Sequence, residues 1–135
     1  MTAYPNKSSL AAYRSVAAHS SVETADPHRL IVMLMDGALE RIAAARGAMD
    51  HGELATRNHL VHRAVDILQE LRASLNLQAG GEIAANMADL YDYSSQQLVR
   101  ANLQNRPELL DEVGNLLRQI RSAWIQIPAL AGQRP

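Results

Sequence analysis

The sequence contains no cysteine, a single tryptophan, a single lysine and no long apolar run. Without cysteine there is no disulfide framework and no zinc site of the thiolate type, which suits a reducing compartment. A membrane-spanning helix needs about 18 or more consecutive apolar residues, so the sequence predicts no direct membrane insertion. The N-terminal stretch carries Lys7 and Arg14 with only short apolar pieces between them. It therefore lacks the apolar core of about 7 to 15 residues that a secretion signal requires, and the predicted location is cytoplasmic. Charge of one sign is also missing. The formal net charge is −1 and the twelve arginines are scattered among the acids, so no overall field draws nucleic acid or an anionic surface. The bias of arginine over lysine is what a high genomic GC content produces.

What is present is a chain of 135 residues, 47% of them apolar. That is one domain, large enough to bury roughly two-thirds of the surface its unfolded form exposes. Its most informative stretch is 24–39, which starts a helix sharply. Asp26 can accept a bond from the free amides of a first turn, and Pro27 suits the first helical position, where its missing N–H costs nothing. At about 100° per residue, Leu30, Ile31, Leu34, Met35, Ala38, Ile42, Ala45 and Met49 fall on one broad core arc. Arg29, Asp36, Glu40 and Asp50 lie across from it. Val32 and Leu39, seven apart, sit beyond one edge of the arc, and Met33 sits on the charged side. The helix thus carries more apolar residues than one packed face needs, as a surface made to hold another chain would.

Five helical segments can be read, and no strand. A short one covers residues 8–18, and a polar spacer at 20–25 precedes the long helix from Pro27. That helix ends near residues 50–52, where Gly52 suits a left-handed cap. The next carries Leu54, Val61, Leu68 and Leu75 at steps of seven, with Ala64 and Leu71 between them, and stops before a connector at Gly80 and Gly81. The fourth places Ile83, Met87, Leu90, Ser94, Leu98 and Ala101 on one stripe and ends around 102–107. Pro107 opens the fifth, in which Leu110, Val113, Leu117, Ile120, Trp124 and Ile127 recur at alternating steps of three and four. Pro128 stops it. Four long helices with short connections predict an all-α, antiparallel up-and-down four-helix bundle with a short extra N-terminal helix. The expected organisation is an N-terminal capping segment at 1–25, the bundle at 26–127 and a flexible tail at 128–135.

About eleven residues are too few for an isolated helix to be stable in water, yet Leu10, Tyr13 and Ala17 line one side of the N-terminal segment. Two readings stay open for it: a removable cover over an apolar groove, or a fixed fifth helix.

Catalytic chemistry cannot be assembled from this chain. His51, His59 and His62 are close in sequence, but a di-metal bundle site needs Glu-x-x-His pairs. Thr56 precedes His59 by three, and His59 itself precedes His62 by three. The seam of that helix turns both histidines outward. A histidine phosphotransfer or metal-binding bundle is the alternative reading, and Arg63 beside His62 is its only support. Asp66 with Glu70 and Asp89 with Asp92 form a solvated face balanced by Arg63, Arg72 and Arg100. No cofactor is implied, and no phosphate-binding glycine pattern surrounds Gly80 and Gly81.

From about Ala12 to Trp124 the chain resembles the flagellin-specific export chaperones, the FliS family. The residues that carry the resemblance are Tyr13, VETADP at 22–27, RLIVMLMDGAL at 29–39, AVDILQELRASLN at 64–76, GGEIAANM at 80–87, LYDY at 90–93, LVRAN at 98–102 and RSAW at 121–124. Their order and spacing together make the match specific. One departure is Met35, where the family usually has tyrosine; a thioether fills an apolar site but lacks the hydroxyl. The resemblance implies a cytoplasmic bundle that binds the disordered C-terminal segment of flagellin, blocks premature polymerisation and helps deliver it to the flagellar export gate. Other flagellar regulators are further candidate partners, and a homodimer through the same apolar positions is left open. The implied client groove draws on Ile31, Val32, Leu34, Met35, Leu39 and Tyr91. Leu10 and Tyr13 are implied to cap it when no client is bound.

Overall fold

A computed structural model describes residues 26–126, except for the side chains of 77–79. The expected helix at 8–18 with Leu10 and Tyr13, the 20–25 spacer, Ile127, the Pro128 stop and the 128–135 tail lie outside the described residues. Within them are four helices and no strand: α1 (Pro27–Asp50), α2 (Leu54–Ala73), α3 (Leu77–Gln104) and α4 (Pro107–Gln126). The chain is all-helical there, as the periodicity predicts.

Local chemistry sets both ends of α1. Asp26 accepts the His28 amide at 3.0 Å, with Pro27 at the first helical position. At the far end Gly52 adopts φ +69°. The Gly52 amide bonds to the Met49 carbonyl at 3.3 Å and the Glu53 amide to the Ala48 carbonyl at 2.9 Å. This paired arrangement satisfies two carbonyls that the end of a helix otherwise leaves open, and it needs a left-handed residue. At the turn between α3 and α4 that conformation falls to Asn105, at φ 54°, a residue type that tolerates it. The Arg106 amide closes the turn on the Ala101 carbonyl.

The glycine pair does not join α2 to α3. That connection is 74–76, where the Ser74 hydroxyl donates to the Leu71 carbonyl at 2.6 Å. Gly80 and Gly81 instead fall inside α3 and bend it. Gly81 has φ 57° and ψ −130°, which breaks the helical run and favours glycine. Gly80 is needed for a different reason: a Cβ there would come within 2.5 Å of the Ala84 Cβ.

Each helix packs against two others, α1 on α2 and α4, and α3 on α2 and α4. One core results. It gathers Leu34, Met35, Ala38, Ile42, Ala45 and Met49 of α1 with Val61, Ala64, Ile67, Leu68 and Leu71 of α2. Tyr91, Leu98 and Ala101 of α3 join Leu110, Val113, Leu117 and Ile120 of α4. Two positions expected on core stripes are exposed instead. Leu54, at the first residue of α2 and beside the connection at 51–53, is 56% exposed, and Ile83 of α3 is 75% exposed. On α3 the buried stripe is Ala84, Ala88, Tyr91, Ser95 and Leu98, displaced by one residue in its first half. Small alanines let neighbouring backbones approach, so they occupy the interface and leave the larger Met87 and Leu90 half-buried beside it.

Candidate functional site

The implied groove residues separate into two layers. Leu34, Met35 and Tyr91 come together inside the core, at 2%, 0% and 2% exposure. Ile31, Val32 and Leu39 are half-buried at the margin, and Ile31 and Leu39 pack against the core cluster. Met35 is fully buried within the hydrophobic core cluster, a place that a thioether suits. Burial pushes the Tyr91 hydroxyl up to about 12, because ionisation there would strand a charge away from water.

Val32, Asp36 and Leu39 share one flank of α1 at spacings of four and three. Asp36 identifies what that flank faces: its carboxylate accepts from Arg121 of α4, at 2.5 Å from Nε and 3.4 Å from Nη2. Val32 and Leu39 therefore border the α1–α4 seam. Arg46 of α1 reaches Asp111 of α4 at 3.1 Å along the same seam. At its other end His28 and Trp124 stack, with ring centroids 5.0 Å apart and planes within 8°.

Sequence reading missed a second set of apolar residues, those left exposed among the described residues. Leu103 is 79% exposed, Val99 44% and Ile125 42%, in addition to Leu54 and Ile83. Val99 and Leu103 are four apart on α3 and so share a face. Arg57 of α2 donates to the Asn102 side chain at 2.9 Å and to its carbonyl at 3.2 Å, so Leu54 and Leu103 stand at the same end of the protein. Their periodicity looks like that of any buried residue.

The polar links between α3 and α4 centre on Glu112. Tyr93 donates its hydroxyl to this carboxylate, and Gln97 donates from Nε2 at 3.0 Å. The Tyr93 bond and then the Gln97 bond hold Glu112 below the usual carboxylate range, and the same Tyr93 bond raises the phenol. Between α2 and α3, Arg72 pairs with Asp92 at 2.8 Å and Gln69 donates to Ser95 at 3.1 Å.

The histidines take separate paths. His59 and His62 are exposed, the His51 ring bonds to the Gly47 carbonyl at 2.8 Å, and His28 is engaged by Trp124. Among the described residues no three His, Asp or Glu side chains gather in a way that could hold a metal ion. No described helix is long and apolar enough to cross a membrane. What the surface offers is apolar area at helix margins beside fixed ion pairs, which suits contact with an amphipathic helix.

A family model described as "Flagellar protein FliS" matches residues 9–131. The chain belongs to the FliS family. Among FliS proteins it is 40% identical to the flagellar secretion chaperone FliS of Vibrio cholerae over 122 residues, covering 90% of both chains. It is 44% identical to the flagellar secretion chaperone FliSB of Pseudomonas aeruginosa over 112 residues, 83% of this chain and 89% of that one. With the FliS of Salmonella typhimurium the identity is 40% over 121 residues, 89% and 90% of the two chains.

Proposed function

We propose that this FliS-family chain is a cytoplasmic export chaperone without catalytic turnover. In this reading it binds the disordered C-terminal segment of flagellin, prevents premature polymerisation and assists delivery to the flagellar export gate. The observation that carries it is the relatedness to named flagellar secretion chaperones at 40% identity over nine-tenths of both chains.

The scaffold for this role is an antiparallel up-and-down bundle. That topology is supported by the cross-helix partners, whose numbers fall in one helix as they rise in the other. Arg46 meets Asp111 while Asp36 meets Arg121, and Arg57 meets Asn102 while Arg72 meets Asp92. On it, half-buried Ile31, Val32 and Leu39 are the contact layer for the client, and Leu34, Met35 and Tyr91 form the rigid floor beneath. A disordered client pays its ordering entropy on binding and offsets it with buried apolar area. Leu10 and Tyr13 in the 1–25 segment act as the exchangeable cover of the same surface.

The test is titration with a peptide of the flagellin C-terminal segment. A one-to-one complex is expected, weakened about tenfold or more by Val32→Asp with Leu39→Asp, since each change places a charge where apolar area is buried. Absence of binding, or binding indifferent to both substitutions, overturns the reading or its surface respectively. Hydrogen exchange adds a check on the cover: protection in residues 8–25 should fall when the peptide binds.

A further inference from the structure

Helix ends are where backbone partners run out, so the first turn of α1 and the last turn of α4 are the places where this bundle should open most easily. One pair of side chains joins them. His28 Nε2 lies 2.6 Å from the Trp124 carbonyl oxygen, and because a carbonyl only accepts, that nitrogen carries the proton. The indole Nε1–H of Trp124 donates back to the His28 carbonyl at 3.1 Å. The two rings stack between these bonds, so the residues hold each other by three contacts across 96 positions of sequence.

The sequence favours this contact. The helical donor to the Trp124 carbonyl would be the amide of residue 128, and residue 128 is proline, which has none. His28 supplies a donor from another helix. The His28 backbone is itself tied, since its amide donates to the capping carboxylate of Asp26 at 3.0 Å. A chain of contacts thus runs from Asp26 through His28 to Trp124, from the residue just before α1 to the last turn of α4.

We propose that His28 and Trp124 form a conformational clasp through which the first turn of α1 and the last turn of α4 open and close as one unit. Loosening the Asp26 cap is then felt at the far end of the chain. The clasp is a property of the protein without a client and does not rest on the chaperone reading.

Native-state hydrogen exchange on the full chain tests it. In His28→Ala, amides at 30–33 and at 122–126 should lose protection together, by about tenfold, while those at 64–71 in α2 stay unchanged. Loss confined to α1 overturns the proposal. His28→Gln keeps a donor without the aromatic ring and should restore part of the α4 protection, which His28→Phe, with a ring but no donor, should not. Asp26→Ala should lower protection at 122–126 in the wild-type background and add nothing there in His28→Ala. Equal effects of Asp26→Ala in both backgrounds also overturn it. Trp124 is the sole tryptophan, so its emission gives an independent reading: His28→Ala should shift it to longer wavelength, and an unshifted spectrum counts against the clasp.

Discussion

Along the α1–α4 seam the cross-helix links are spread out, from Arg46 with Asp111, through Asp36 with Arg121, to His28 with Trp124. Along the α3–α4 seam, Tyr93 and Gln97 both converge on Glu112. Among the described residues, polar links fasten one seam along its length and the other at one place. The consequence can be followed along a stripe of α3 at seven-residue steps: Gln97 is 8% exposed, Leu90 half-buried and Ile83 75% exposed. Cover is lost toward the start of α3. Apolar surplus read from a sequence therefore differs from apolar surface left open. Val32 and Leu39 are the surplus, and they border the fastened seam; Ile83 fits an ordinary core stripe and lies open.

The largest expected effect tests this directly. Leu117 of α4 is fully buried, so Leu117→Ala should lower unfolding stability by about 2–5 kcal/mol through lost burial and a residual cavity. Ile83→Ala should stay within about 0.5 kcal/mol, as surface substitutions do. Denaturant unfolding of the two variants side by side measures the contrast. A loss above about 1 kcal/mol for Ile83→Ala would mean that something covers the start of α3, and the comparison of seams would fail.

Tyr91 separates the inner face of α3 from its outer one by pH. Its hydroxyl is raised from 10 to about 12 by burial. A raised folded value means that stability is fully present below the unfolded value and is lost as pH rises from about 10 through about 12, where only the unfolded chain ionises freely. Two units correspond to roughly 3 kcal/mol. Tyr91→Phe should remove this alkaline loss in unfolding measured between pH 9 and 12. An unaltered alkaline slope would place the hydroxyl in water and undo the inner layer assigned to Leu34, Met35 and Tyr91.

Legibility in the sequence followed the range of the interaction. Asp26 with Pro27, Gly52 and Pro107 mark helix ends by chemistry within a few residues, and all three ends are where that chemistry puts them. The core arc of α1 was readable for the same reason, since one helix face repeats every three or four residues. Gly80 and Gly81 were misread because a glycine pair can end a helix or bend it, and here the non-helical backbone falls at Gly81 within α3. Ile83 and Leu54 were misread because exposure depends on where other helices stop. The pairing of His28 with Trp124 left no local trace at all, with 96 residues between the partners. Of the candidate site, the residues were readable, but not their division into a buried floor and a half-buried margin.

The smallest expected effect concerns the polar fastening of the α3–α4 seam at Glu112. Tyr93 is 42% exposed, so solvent screens its bond to Glu112 and the contribution is modest. Its sign is still defined. The bonds from Tyr93 and then Gln97 depress the Glu112 carboxyl in the folded state. A depressed value contributes stability that is present above the unfolded pKa and is lost as pH falls through the folded one, below about pH 4 to 5. Tyr93→Phe removes the larger of the two causes while keeping the ring, so the acid limb of stability should become shallower and the midpoint at neutral pH should fall slightly. The raised Tyr93 phenol adds a loss above about pH 10, which the same variant should abolish. Unfolding of Tyr93→Phe at pH 3, 7 and 10.5 compares these limbs. If all three values drop equally, the side chain contributes packing alone, and the seam would lack the polar fastening that sets it against the α1–α4 side.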